Sequence, residues 1–233
     1  MRRLSLNRTE KQQISDVVAY YSDHRNLFET LAKSLLLYLE EDKRLEPYIH
    51  FIKYRVKDPE HLRRKLKEKA LSAKKTGHIP SITRNNLFSK IHDLAGVRVL
   101  HLHTEQIAQM NPIIKAILNE HNCPLIEGPK AICWDREYET LFKGFGIPAE
   151  SRDSMYTSVQ YVIEANQQTK MRAEIQVRTL MEEVWGEVSH LVGYHNPSID
   201  RACKDQLNVL ARLTSGSTRL VDSIFKSHKD SLS

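Results

Sequence analysis

Cysteine is scarce, with three in 233 residues: Cys123, Cys133 and Cys203. The number is odd and no CxxC spacing occurs, which argues against a disulfide framework. It reads as free thiols in a reducing, cytoplasmic compartment. His121 lies near Cys123 and Cys133, but a structural zinc needs about four ligands, so no zinc site is expected. No run of about 18 apolar residues occurs, so no membrane span is expected. The opening MRRLSLNRTEKQQ carries two arginines with no apolar stretch behind them, unlike a secretory leader. A GxxxxGK[ST] loop is missing too, which argues against a P-loop kinase. There is no internal repeat and no low-complexity tract. What remains is 40% apolar residues, enough for a sizeable core.

Positive charge is present and uneven. The formal net charge is +6, yet residues 53–90 alone carry twelve Lys or Arg against Asp58, Glu60 and Glu68. The rest of the chain is therefore mildly acidic. A concentrated basic segment in such a chain points to a polyanionic ligand, the phosphates of a nucleotide or of RNA. Lys67, Lys69, Lys74 and Lys75 read as a solvated helix face.

The pattern from Thr9 to about Pro47 is helical, with Leu27, Leu31, Leu35 and Tyr38 at helical spacing. IHFIKYRV reads as a strand. Asp58-Pro59 starts a helix, as cap and first helical residue, that runs to Gly77. Thr76–Asn86 reads as a loop containing Pro80. A short helix at Leu87–Ile91 leads to Asp93 and a buried strand, Gly96–Leu102. A helix follows over Glu105–Asn122, then a strand within Cys123–Trp134 and a polar loop, Asp135–Ser154. Strands start at Thr157 and Arg172. A helix over Leu180–Tyr194, stopped by Asn196-Pro197, and a long helix from Ile199 to about Ser227 close the chain. This order predicts a mixed sheet flanked by helices.

RAEIQVRT is the most informative segment. At a period of two, Ala173, Ile175 and Val177 face the core, and Arg172, Glu174, Gln176 and Arg178 share the other face. A carboxylate, an amide and a guanidinium in a row suit a ligand. In the helix behind, Glu183, Glu187, His190 and Tyr194 form a second polar stripe, while Met181, Val184, Trp185, Val188 and Val192 read as core. Asp93, at the start of a strand, gives a second acid. With Glu174 it forms a pair fit for Mg²⁺, which takes few carboxylates and keeps phosphate oxygens. Arg55, Lys57 and Lys65 supply cations, and the helix starting at Pro59 adds free N–H groups for phosphate.

YRVKDPEHLRRKL, IHDLAGVRVL, SMYTSVQYVI and AEIQVRTLMEEVWGEVSHLVGY resemble, in order and spacing, the synthetase motifs of the RelA/SpoT alarmone synthetases. The resemblance covers about Tyr20 to Tyr194. It implies an α+β, nucleotidyltransferase-like fold, a mixed sheet flanked by helices with N- and C-terminal helical extensions. It also implies a single synthetase domain over residues 1–233, with a core of about 20–195 and a helical extension of 199–228. The implied activity is a pyrophosphokinase, transferring the β,γ-diphosphate of ATP to the 3′-hydroxyl of GDP or GTP with Mg²⁺. By the same resemblance Arg55, Lys57 and Lys65 bind ATP, Asp93 holds the metal, and Glu174 holds metal or acts as general base. Tyr156 stacks on the acceptor base, and Gln160, Gln176, Arg178 and His190 line the acceptor pocket.

Three positions depart from the family's usual pattern. Met155 stands where Gly is usual, Gln160 where His is common, and His61 where Ser is frequent. Acceptor choice is therefore open among GDP, GTP, an adenine nucleotide and the 3′ end of tRNA, the last being the target of toxic relatives. Among partners a homo-oligomer, and an antitoxin for a toxin, stay open. A silent nucleotide- or RNA-binding module is the third reading, and the presence of both Asp93 and Glu174 speaks against it. The His92-Asp93 dipeptide evokes HD-type phosphohydrolases, but these need further helical His and Asp ligands where here a strand follows.

Overall fold

The computed structural model describes residues 5–77, 82–166, 168–193 and 199–232. Pro80, Tyr194 and the Asn196-Pro197 stop lie outside the described residues. The N-terminal helical stretch is two helices, α1 (Arg8–Asp23) and α2 (Arg25–Glu40), followed by a 3-10 turn, Glu46–Tyr48. They part at His24, whose φ of −107° and ψ of 6° leave the helical region. Asn7 and Glu10 each bond the other's backbone N–H in a capping box that starts α1. The buried positions of α2 are Phe28, Ala32, Leu35 and Leu39, whereas Leu27, expected on the core side, is exposed. LFETLAKSLLLYLE offers overlapping apolar stripes, and the one containing the large Phe28 takes the core.

β1 (Phe51–Val56) and α3 (Pro59–Thr76) follow. The Asp58 carboxylate accepts from the Glu60 and His61 N–H groups, and Gly77, at φ 70°, ends α3 in the left-handed conformation that glycine adopts without strain. Then come α4 (Leu87–Lys90), a 3-10 turn over His92–Leu94, β2 (Ala95–His101), α5 (Gln106–Glu120) and β3 (Leu125–Cys133). The segment expected as a loop over Asp135–Ser154 instead holds α6 (Arg136–Gly144) and β4 (Ala149–Ser151). Its polarity hides an amphipathic turn pattern, since Asp135 caps the helix and Tyr138 and Phe142 are buried one turn apart. β5 (Ser158–Asn166), β6 (Met171–Thr179), α7 (Leu180–Leu191) and α8 (Arg201–Asp230) complete the chain. No described helix is long and apolar enough to cross a membrane.

The six strands form one mixed sheet in the order β1-β2-β6-β5-β3-β4. β2 runs parallel to β6 and β3 to β4, and the other pairs are antiparallel. On one face Val97, Val99, Val159, Tyr161, Ile175 and Val177 join residues of α1, α2 and α5 in a common apolar core. The opposite face is polar, and α7 lies against it. That placement inverts the expected reading of α7. Trp185 is buried, but Val184, Val188 and Val192 are exposed and Glu183 is buried. Ion pairs to Arg98 and Arg178 on the sheet draw the polar stripe of α7 inward and leave its valines outward.

Candidate active site

The pleat of β6 works as its alternation predicts: Ala173, Ile175 and Val177 are buried in the core, and Glu174, Gln176 and Arg178 point to the other face. In register, two rows of side chains cross the sheet there. One runs Lys53, Arg98, Gln176, Gln160, Lys130, and the other Arg55, Gly96, Glu174, Val162, Glu127. Gly96 leaves the second row open, because a Cβ there would sit 2.6 Å from the Glu174 carbonyl oxygen. Above the rows lies a cavity of about 700 Å³, walled by Lys65 and Lys69 of α3 and by Trp185, Gly186, Ser189 and His190 of α7. Nine of the ten residues singled out from the sequence line it: Arg55, Lys65, Asp93, Tyr156, Gln160, Glu174, Gln176, Arg178 and His190. The tenth, Lys57, stands one step back and reaches the cavity through Asp93. Arg172 does not join them. It bonds the Ser89 carbonyl at 2.6 Å and His92 Nε2 at 3.1 Å, tying β6 to the end of α4.

Asp93 sits in the 3-10 turn before β2 with φ −96° and ψ 24°, off the helical region. Lys57 Nζ lies 2.6 Å from its Oδ2, Lys65 Nζ 2.8 Å from its Oδ1, and Arg55 Nη2 3.9 Å from Oδ2. Each carboxylate oxygen thus faces one ammonium, Oδ2 that of Lys57 and Oδ1 that of Lys65. Burial pushes the Asp93 carboxyl up, but the Lys57 and Lys65 ammoniums outweigh it and hold the group well below the usual carboxylate range. Lys57 moves down rather than up: burial disfavours its charge, and Lys65 and Arg55 add to that against the pull of Asp93. Three cations around one carboxylate leave this end of the cavity with excess positive charge. Glu174 goes the other way. Burial, and then the charge of Asp93, raise its carboxyl above the ordinary value, against smaller lowering by Arg55 and the Gln176 amide.

Beneath the middle of the cavity is an ion network that the sequence reading missed. Glu183 takes Arg98 at 2.8 Å, Lys53 at 2.7 Å and the Arg178 guanidinium, while Glu187 pairs with Arg98 and Lys53. Arg178 is only 2% exposed. Gly186 makes room for it, since a Cβ there would meet Arg178 Nη1 at 2.5 Å. Nε of Arg98 and Nε of Arg178 remain buried without a hydrogen-bond partner. Arg98 had a signal, a lone cation in the buried run GVRVL, on the same pleat face as Gln176. Lys69, read as solvated, lies one turn beyond Lys65 and lines the cavity. Lys74, by contrast, is tied to Glu10 at 2.7 Å.

At the far end, Tyr156 lies just before β5, and its ring centre lies 5.4 Å from the Arg178 guanidinium carbon. Gln160, Lys90, His92 and Arg152 surround the space beyond, with Arg152 held by Glu150 at 2.7 Å. His190 stands at the mouth, its ring 5.1 Å from that of His61 across the cavity edge. Burial and the neighbouring His61 lower its tendency to protonate. Met155 has φ 55°. It thus occupies the left-handed conformation that glycine adopts without strain, at a cost of roughly 1 kcal/mol or more. Met155→Gly removes that strain and adds about 0.4–1 kcal/mol of unfolded-state entropy. Urea unfolding is therefore expected to show a near-neutral change for Met155→Gly and a clear loss for the β-branched Met155→Val. A large loss in Met155→Gly would contradict the strained backbone.

The pattern of a family described as a region found in RelA / SpoT proteins matches residues 54–198, more than half of the chain. No curated protein matches significantly. Solved structures share the fold. A GTP pyrophosphokinase family protein from Streptococcus pneumoniae aligns at TM-score 0.60 and 17% identity, over 97% of each chain. Small alarmone synthetase 1 from Bacillus subtilis, bound to its product pppGpp, aligns at 0.57 and 17% identity over 91% of this chain and 97% of its own. Small alarmone synthetase 2 from the same organism aligns at 0.54 and 19% identity, over 92% and 96%. With its four motifs gathered around one cavity and the family pattern spanning them, the chain belongs to the RelA/SpoT family.

Proposed function

We propose that the chain is an ATP-dependent pyrophosphokinase that moves the β,γ-diphosphate of ATP to the ribose 3′-hydroxyl of GDP or GTP, making (p)ppGpp. The observation that carries this is the single cavity in which an Asp93 carboxylate bracketed by three cations lies beside a Glu174 carboxyl of raised proton affinity. Transfer of a phosphoryl-type group needs charge neutralisation and positioning more than covalent help. Arg55 stacks on the adenine of ATP, Lys65 meets the donor phosphates with Lys57 behind Asp93 adding its charge, and Glu174 accepts the proton of the attacking hydroxyl. Tyr156 stacks on the acceptor base, with Arg178 behind its ring, and Gln160, Gln176 and His190 frame the acceptor. Among the solved relatives, small alarmone synthetase 1 from Bacillus subtilis is bound to AMPCPP in one structure and to pppGpp in another.

The residues fit Mg²⁺. Asp93 and Glu174 are carboxylates that line the same cavity, and the charge of Asp93 is felt by Glu174. Among the described residues no group of three or more His, Cys, Asp or Glu gathers into a metal site. One or two carboxylates suit Mg²⁺, which keeps phosphate oxygens and water in its other positions, so Asp93 would hold it and leave Glu174 free to act as the base. It would supply charge neutralisation at the diphosphate.

The test offers γ-labelled ATP with Mg²⁺ to GDP, GTP, AMP, ATP and bulk tRNA in parallel. Label in a guanosine product, lost far more in Tyr156→Ala than in Tyr156→Phe because stacking uses the ring, is the expected result. Label in RNA alone would replace the acceptor by the tRNA 3′ end and make an antitoxin the partner to seek. No label in any acceptor would leave a silent binding module.

A further inference from the structure

The side of α3 turned away from the catalytic cavity lines a second one, of about 320 Å³, between α3 and the start of α1. At about 100° per residue, Arg63, Lys67 and Leu71 stack on one face of α3, with Lys65 and Lys69 on nearly the opposite face. The same helix thus presents cations to two separate cavities. In the second, Lys11 of α1 joins Arg63 and Lys67. Arg63 is partly engaged, donating from Nε to Glu60 at 3.1 Å and from Nη1 to Ser15 Oγ at 3.1 Å. Lys11 and Lys67 have no acidic partner among the described residues, and the nearby Glu10 is taken by Lys74. Like charges four residues apart on a helix, as Arg63 and Lys67 are, repel each other. A cleft that gathers three of them concentrates positive potential for an anion. Its other walls are Ser5 and Ser15 hydroxyls and the apolar Leu6 and Leu71. That is the make-up of a small ligand pocket, apolar sides with a few polar groups, at the low end of the usual size.

We propose that this cavity is a second binding site, for a phosphate-bearing molecule of mononucleotide size. Its phosphate lies between Lys11, Arg63 and Lys67, and its flat body lies against Leu6 and Leu71. The site shares no residue with the catalytic cavity and does not depend on the proposed reaction.

Hydrogen exchange of the full chain with GMP, guanosine or inorganic phosphate tests it. GMP is expected to slow exchange several-fold in residues 6–15 and 63–71, more than guanosine or phosphate does. Lys11→Gln/Lys67→Gln, which alters two exposed side chains, is expected to abolish that slowing. Any protection GMP gives to β6 in the catalytic cavity stays unchanged. Equal slowing in the double variant, or none in the unaltered protein, overturns the site. Phosphate alone matching GMP overturns the nucleoside part and with it the proposal as stated.

Discussion

Glu174→Gln is expected to lower turnover by roughly 10²–10⁴-fold, the usual loss for a general base, and to leave the protein at least as stable at neutral pH. The sign follows from its raised proton affinity in the folded state, caused first by burial and then by Asp93. A group raised in this way favours folding most below its unfolded value, and that contribution is lost as pH rises through the folded value. At neutral pH the charged carboxylate is thus a cost that the neutral amide does not carry. Asp93→Ala is expected to abolish turnover as well, but with the opposite stability effect. The folded carboxyl of Asp93 is lowered, so it contributes stability above its unfolded value that is lost as pH falls through the folded one. Removing it leaves Lys57 half-buried beside Lys65 and Arg55 with no counter-charge, a cost of several kcal/mol. Single-turnover kinetics and urea unfolding at neutral pH read both effects. Near-normal turnover in either variant removes that residue from the mechanism. A destabilised Glu174→Gln would mean that the carboxylate is held by ion pairs and not strained by burial. The acid limb of kcat/KM is expected above the ordinary glutamate range for the same reason.

The parts of this site that could be read in the sequence are those whose position follows from a short period. The alternation of β6 placed Glu174, Gln176 and Arg178 on one face, and strand pairing did nothing to disturb it. The cap at Asp58-Pro59 fixed the start of α3 and so the direction of Lys65. The errors arose where a segment's polarity was taken as its exposure. Asp135–Ser154 is polar on average, yet Tyr138 and Phe142 are buried there. α7 has an apolar side and a polar side, and only the polar face of the sheet decides which one turns inward. Glu183 is buried because Arg98, Lys53 and Arg178 come from three other places in the chain to meet it. No local pattern holds that information. Lys69 fell on the wrong side of the division of the basic segment because its cavity is made by α7 and the sheet together.

Glu183→Ala is expected to cost about 3–5 kcal/mol of unfolding free energy, the typical penalty for removing one partner of a buried ion pair. Against a total of about 5–15 kcal/mol for a domain, that is a large share. The carboxylate is the shared partner of Arg98 and Arg178, and Arg178, at 2% exposure, can turn little of its guanidinium to water. Glu187 stays to serve Arg98 and Lys53, but its ion pairs do not reach Arg178. The loss should therefore follow Arg178. Glu183→Leu combined with Arg178→Met is expected to recover most of the stability, because well-packed apolar residues replace a buried pair at little cost. Turnover would not return with it, since the Tyr156 ring would have lost the guanidinium behind it. Urea midpoints for Glu183→Leu, Arg178→Met and the two changes combined form a cycle that isolates the pair. A loss below about 1 kcal/mol in Glu183→Ala, the range of exposed pairs, would show that water reaches Arg178 and that the network does not hold the floor of the site.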